Sequence, residues 1–530
     1  MRKVLAIWSV LLVFGTAAVG WCIQTVYAPH DQVQYTQTVL AGDPAVADGL
    51  TVQTNSEYKS RLFWHTTARM QQGAPHTQTD YRFYQTKQTQ SHDVFYRGVD
   101  IISEFPSAFN SYDENFMNIP EEQRTALDLA YQELYENAVP GQEVSKTITP
   151  SDYYEYYPIA GHIDLEGTHV DFNIWNGNNA VGDKMNAFFR IPVLPEERLT
   201  ISLEKDQNGN ICSTGSGTDG EDHFRLQSES IVTPQTCYFT FYNRSDKGKI
   251  MDTSLIPGGY GIYAVDYTPG KVEYLNDGGI QYIENGRLQL DSLRMAFPID
   301  PNEELMRLSQ WQDGSFLLLY TRTEDAYYLT VIATDTMQQV QRLKINPSMS
   351  AEAINYNIME KERFIAILLD HTMIVLLSNG DGTFRIDMQT PNTLDDAYIY
   401  VSWNISENAI DYHNGKLAYA FESYDQETGY QDHLNYELVV INQQGLQFWS
   451  KYQSSIQNDH IADLEHYSTN EMILLNYTIP FKYHGSNAKD PNRKNPLFGS
   501  FMGICHPLNY TKLLFCIINY SFIMSHNRIA

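Results

Sequence analysis

The sequence predicts a mainly β fold: an N-terminal transmembrane helix, a small α+β region, and then four-stranded repeats that stop part-way through a copy. Three observations lead there. Apolar runs of four residues recur behind an aromatic and a turn, as in Trp311, Asp313-Gly314 and Phe316-Leu317-Leu318-Leu319. The chain of 530 residues contains 37 Tyr but only 19% charged residues, a composition suited to pleated sheets rather than helical bundles. An uncharged stretch opens it, from Val4 to His30.

Residues 1–28 read as a signal anchor. The apolar core, Val4 to Ile23, is 20 residues long, enough to cross the hydrocarbon region as a helix. Arg2 and Lys3 keep that end in the cytoplasm and send the bulk of the chain outward. A cleaved signal peptide is the competing reading, because Val26 and Ala28 suit the positions before a cleavage site. Pro29 directly after it, and the length of the apolar run, weigh against cleavage. The expected location is therefore the cell membrane with the bulk of the chain extracytoplasmic, or secretion if the signal is cut. A formal net charge of -28 repels phosphate, which excludes nucleic acid as a partner and leaves the membrane to be met through the N-terminal helix.

Residues 29–50 are polar, turn at Gly42-Asp43-Pro44, and read as a linker. From 51 to 250 the expectation is a β-rich domain with one helix near 120–138. Pro120, Glu121 and Glu122 make a favourable first turn, and Leu127, Ala130, Tyr131 and Leu134 form one apolar stripe. Pro140-Gly141 ends it. After the helix, His169-Val170-Asp171-Phe172 alternates as a half-buried strand does. A soft domain boundary is expected between 245 and 260.

Residues 251–480 carry the repeats. One unit has Trp311 and Phe316-Leu317-Leu318-Leu319; another has Tyr412, Asn414-Gly415 and Leu417-Ala418-Tyr419-Ala420. A third start has Tyr467, Thr469-Asn470 and Met472-Ile473-Leu474-Leu475, and a looser copy has Tyr356 and Phe364-Ile365-Ala366-Ile367. The strand starts at 316, 364, 417 and 472 are 48, 53 and 55 residues apart. Second hairpins follow at Leu329-Thr330-Val331-Ile332, Met373-Ile374-Val375-Leu376 and Leu438-Val439-Val440-Ile441, and Gly261 to Val265 looks like half of an earlier unit. Two hairpins per unit make a four-stranded blade. A run of such blades resembles the β-propeller repeat ectodomain of an exported bacterial-type protein. The resemblance is architectural, since WD40 and kelch signatures are missing, and a β-sandwich of similar strand spacing is the rival.

The unit beginning at Leu464 never supplies its second hairpin. The last forty residues hold no acid, where the density upstream would supply about five, against Arg493, Lys494, Lys512 and Arg528. Leu513 to Met524 is apolar but only 12 residues long, too short to span a membrane. Residues 481–530 are accordingly expected to be an aberrant tail, from a shifted reading frame or another non-native end, that leaves the array with open strand edges.

Candidate chemistry is sparse. His162, Asp164, His169 and Asp171 form two His-x-Asp steps around a turn at Gly167, a pattern that would hold a divalent metal and that any strand with a solvated face also produces. His460, Asp463 and His466 form a second such cluster, for which turn residues are the simpler reading. Tyr153, Tyr154, Tyr156 and Tyr157 make the densest aromatic run; it would stack on sugars or peptides, or else pack a domain. Cys212 and Cys237 either form a bridge closing a loop of about 25 residues, which would contribute ~3 kcal/mol, or remain free thiols. Gly215 to Gly220 matches G-x-G-x-x-G, but Glu221-Asp222 would repel phosphate and the segment reads as a flexible loop. Asp206-x-Asn208-x-Asn210 reads as a hairpin turn rather than a calcium loop.

These features predict a membrane-anchored extracytoplasmic binding or sensing protein. Its partner would be an extracellular protein or glycan met through the loops of the propeller-like region. The alternative is an exported carbohydrate-active enzyme of the glycoside hydrolase type, using paired acids on the same scaffold. The sequence implies no cofactor.

Overall fold

Successive residues of a strand point to opposite faces, so an unbroken apolar run needs cover on both sides. The computed structural model describes residues 12–21, 33–58, 62–82, 98–103, 105, 124–172, 180–218, 224–243, 251–274, 280–346, 356–369, 372–391, 409–425, 430–455 and 481–483. Its first strands are β1 (Tyr35–Gly42), β2 (Leu50–Tyr58), β3 (Leu62–Gln71), β4 (Ala74–Arg82) and β5 (Gly98–Ser103). Then come β6 (Glu143–Ile148), β7 (Ile159–Leu165), β8 (Thr168–Phe172), β9 (Leu199–Lys205), β10 (Ile211–Thr218), β11 (Leu226–Val232) and β12 (Thr236–Asn243). The next are β13 (Gly261–Thr268), β14 (Lys271–Tyr274), β15 (Ile280–Glu284), β16 (Arg287–Pro298), β17 (Glu304–Trp311), β18 (Phe316–Arg322), β19 (Tyr327–Ala333) and β20 (Gln338–Ile345). The last are β21 (Tyr356–Lys361), β22 (Phe364–Leu369), β23 (Thr372–Ser378), β24 (Phe384–Pro391), β25 (Ile410–His413), β26 (Lys416–Asp425), β27 (Tyr430–Asn442), β28 (Gly445–Ser454) and β29 (Phe481–Tyr483). Two helices, α1 (Ala126–Asn137) and α2 (Ala180–Phe188), interrupt the strands.

Six sheets follow one another as blades: β29-β2-β3-β4, β5-β7-β8, β11-β12-β13-β16, β17-β18-β19-β20, β21-β22-β23-β24, and β25-β26-β27-β28 extended by β1. Every neighbouring pair of strands within them is antiparallel. Apolar layers join the second blade through to the sixth, and the sixth to the first. On β18, Leu317 and Leu319 meet Ile262 and Ala264 of the third blade, while Leu318 and Tyr320 meet Ile365 and Ile374 of the fifth. On β22, Phe364 and Leu368 turn instead toward Leu417 and Val439 of the sixth. Leu438 and Val440 then cover Leu50, Val52 and Met70 of the first blade. The repeats are apolar without interruption because each inner sheet is buried on both faces. This is a propeller-like array, as the repeats suggested.

Three findings differ from the expectations. Residues 481–483 do not fall away in an aberrant tail: β29 pairs with β2, setting Leu50 opposite Tyr483 and Val52 opposite Phe481. The N-terminal strands β2, β3 and β4 therefore share one sheet with β29. The strand expected at 472–475 and residues 484–530 lie outside the described residues. At the other end, β1 joins the outer edge of β28, with Tyr35 opposite Ser454, so it belongs to the sixth blade and not to a linker. The boundary placed at 245–260 falls inside one sheet, because β11 and β12 continue into β13 and β16.

The helix spans Ala126–Asn137, with Thr125 as N-cap in a capping box with Asp128; Pro120 to Glu122 lie outside the described residues. Leu127, Ala130, Tyr131 and Leu134 are buried against Ile201 and Leu203, as their stripe requires. That helix and the sheet β10-β9-β6 form a small layer inserted within and after the second blade. Gly215 and Gly217 lie in β10, paired with Ser202 and Thr200, so the glycine motif is strand as far as Thr218 rather than the loop expected there; Asp219 and Gly220 lie outside the described residues. Asp206 accepts from the backbone N–H groups of Asn208 and Asn210 (both 2.8 Å), which makes the expected turn and holds its carboxyl below the usual range. Among the described residues no helix is long and apolar enough to cross a membrane. Of the expected span from Val4 to Ile23, residues 12–21 are helical, with Leu12, Phe14 and Trp21 exposed, and the flanks lie outside the described residues.

Two glycines separate backbone strain from steric conflict. Gly415 has φ 72° and open space around any added Cβ; Gly42 has φ 79°, and a Cβ there would stand 2.0 Å from the Gln447 carbonyl oxygen. G415A is expected to cost about 1–2 kcal/mol from the left-handed backbone alone, and G42A distinctly more; urea unfolding midpoints check the order. The closure by β1 is equally testable. Buried Ser450 donates to the Thr38 carbonyl at 2.9 Å, so S450A should lose about 1 kcal/mol. A chain beginning at Asp43 should melt lower still, and an unchanged Tm would show that β1 adds nothing.

Candidate functional site

The His-x-Asp steps come together on the second blade. Val99, Ile101, Ile163, Leu165 and Phe172 enter the core from one face of β5, β7 and β8, which turns the intervening residues to the other face. The register sets Asp100 opposite His162 and His162 opposite Asp171; in the next row Gly98, Asp164 and His169 align. Two imidazoles and three carboxylates thus occupy two rows of one sheet face. His162 Nδ1 lies 3.8 Å from Asp100, and His169 lies 3.9 Å from Asp164 and 3.5 Å from Asp171. Ser228 Oγ on β11 donates to Asp100 (3.0 Å), holding that carboxylate to its neighbour blade.

These contacts run sideways from ring to carboxylate along the sheet. Among the described residues no group of three or more His, Cys, Asp or Glu side chains is arranged to hold a metal ion. The metal reading of His162, Asp164, His169 and Asp171 therefore gains no support from the geometry, while their clustering does. The face is open: side-chain exposure runs from 23% at His162 to 51% at Asp171. Asp100 is the member that the sequence did not reveal. The only signal for it was the alternation Val99-Asp100-Ile101, which any half-buried strand shows. His460, Asp463 and His466 lie outside the described residues.

The tyrosine run divides between core and surface. A short 3-10 turn at Pro150–Asp152 leads into it, and Tyr157 N–H donates to the Ile191 carbonyl while Val193 N–H donates to that of Glu155. Tyr157 is buried, stacks on Phe224 with ring centres 4.0 Å apart, and donates its hydroxyl to buried Glu197. Burial, and then that hydrogen bond, push its phenol far up. Tyr154 packs beside Phe105 in the same core. Tyr153 is exposed, and Tyr156 faces Arg190 with its hydroxyl on Glu155. The four rings do not make one flat aromatic surface, because alternation along the segment sends them to different sides.

Cys212 and Cys237 are free thiols and form no bridge. Cys212 is exposed on β10 of the inserted layer, whereas Cys237 is buried on β12 in the third blade. Burial pushes the Cys237 thiol up to about 12, which leaves it an inert core residue.

A second polar cluster, unseen in the sequence, lies on β11, β17 and β21, the first strands of three successive blades. Arg307 on β17 donates to the Ile358 carbonyl, and Tyr356 on β21 donates back to that of Met306 (2.7 Å). Ser309 and Tyr320 (2.8 Å) both donate to Glu360. Glu229 on β11 is half-buried. Burial raises its carboxyl and the nearby Arg307 guanidinium opposes the rise. Glu229 in turn raises Tyr356, after the larger effect of burial.

No family model matches the chain, and no curated protein matches it. Among solved structures it is similar to the β-propeller domain of Cps50 (Swd1) from Myceliophteria thermophila, with 8% identity over 60% of this chain and 97% of that one at a TM-score of 0.18. A protein from Lactobacillus plantarum shares 10% identity over 76% of this chain and 95% of its own, at a TM-score of 0.22. The periplasmic gluconolactonase PpgL of Pseudomonas aeruginosa shares 12% over 48% and 77%, at 0.20. Likenesses of this size establish neither activity nor ligand. The propeller-like architecture of this chain rests on its six stacked sheets.

Proposed function

We propose that the chain is an extracytoplasmic binding or sensing protein, anchored by its N-terminal apolar segment and presenting the outer face of β5, β7 and β8 to a protein or glycan. The observation that carries this reading is the face itself. Asp100, His162, Asp164, His169 and Asp171 stand in two registered rows on a sheet whose reverse side is core. A flat, open and rigid row suits a macromolecular surface, whereas small substrates are enclosed by concave sites. Three carboxylates against two imidazoles make the face acidic. It matches basic groups on a partner, such as Lys and Arg side chains or an amino sugar.

Two measurements test the reading. The full chain should sediment with membranes and be digested by protease added outside the cell; recovery in the soluble cytoplasmic fraction overturns the location. The triple variant D100N/D164N/D171N keeps side-chain size and removes the charge. It should bind an oligolysine peptide or a chitosan oligomer about tenfold more weakly than the parent, with the difference shrinking at high salt. Equal binding by parent and variant would exclude this face.

A further inference from the structure

Among the described residues the second blade has three strands, β5-β7-β8, where each of the other five blades has four or five. Side chains of the next blade close one of its edges. Ser230 Oγ accepts from Val99 N–H (3.1 Å) and donates to the Val99 carbonyl (2.6 Å), and Ser228 Oγ accepts from Ile101 N–H (2.8 Å). The other edge is β8, and among the described residues β7 is the only strand paired with it. An edge of this kind is a template for a further strand. The core row shows where cover runs out: Val99 and Ile163 are buried, but Val170, next in the row, is only half-buried.

We propose that β8 pairs antiparallel with β8 of a second copy of this chain, about a two-fold axis at Val170, joining two second blades into one sheet. The strand Thr168-His169-Val170-Asp171-Phe172 selects that occupant, because it is complementary to itself. With Val170 opposite the partner's Val170, His169 meets the partner's Asp171 and Asp171 meets the partner's His169. The rows of the exposed face then continue across the join. Asp100, His162 and Asp171 are followed by the partner's His169 and the partner's Asp164, so acid and imidazole alternate without a break. His162 already stands between two carboxylates in its row, whereas His169 has one row neighbour, Asp164. Pairing supplies the second. The charges also fix the register. A shift of two residues one way sets His169 against the partner's His169, and the other way sets Asp171 against the partner's Asp171; like groups directly opposite are unfavourable. On the core face each Val170 covers the other.

The contact uses the strand edge and leaves the Asp/His face open, so it stands or falls independently of what that face binds. A short strand on each side makes a small interface, and the dimer is accordingly reversible. The test is sedimentation equilibrium of the full chain in a non-ionic detergent, which reads mass and not ligand binding. The parent should pass from one copy to two as its concentration rises through the micromolar range. H169D sets acid against acid across the join, and D171H sets imidazole against imidazole. Each variant alone should associate about tenfold more weakly than the parent. Mixed in equal amounts, the two variants again place acid opposite imidazole at both positions, and association should return. Thermal melts show whether each variant is folded. If either unfolds, Val170→Cys replaces the pair: a mild oxidant should link two such chains faster than it links the parent through its own cysteines. The proposal is overturned by a parent that stays a monomer at every concentration, or by folded single variants that associate as the parent does. It is equally overturned by a mixture that regains nothing, or by cross-linking of Val170→Cys no faster than that of the parent.

Discussion

The structure depends on where its first and last described strands are tied. β1 lies along the outer edge of β28, and β29 along the free edge of β2. Each covers a row of backbone donors and acceptors that would otherwise sit at a sheet edge open to other chains. The same closure positions the last apolar layer, in which Leu50, Val52 and Met70 meet Leu438, Val440 and Phe448. The bond from Ser450 to Thr38 spans 412 residues of sequence. Such pairings close very long loops, whose closure entropy the new contacts must offset.

That distance explains what the sequence disclosed and what it hid. Hairpins between neighbouring runs were legible, because an apolar four-residue run, a turn with Asn414-Gly415 and a second run are all local. Closure was not. Phe481-Lys482-Tyr483 has no pattern of its own, and nothing near it indicates that its partner is Leu50 to Val52. The strands that share a sheet with β29, namely β2, β3 and β4, stand near the opposite end of the chain. Blade three was divided at 245–260 because an irregular stretch between β12 and β13 resembles a linker when pairing is unknown.

The site shows the same limit at the scale of side chains. His162, Asp164, His169 and Asp171 could be found because one hairpin carries all four. Asp100 joins them through β5, on the far side of the inserted helix, and only register places it opposite His162. The tyrosine run misled in the opposite sense: four aromatics in five positions suggest one surface, yet the backbone bonds of Glu155 and Tyr157 to residues 191 and 193 turn Tyr157 inward.

The stacking of blades also decides where binding faces can exist. The five contacts between successive sheets, from the second blade round to the first through the sixth, are filled by apolar side chains. Among the described residues no such layer joins the first blade to the second. The second blade ends in the Asp/His rows, and the first carries exposed His65, Arg69 and His76 on the face opposite its core. Those two polar faces belong to sheets consecutive in the chain. A sheet face left polar on a rigid, apolar-backed blade is available to water and partners at no loss of core.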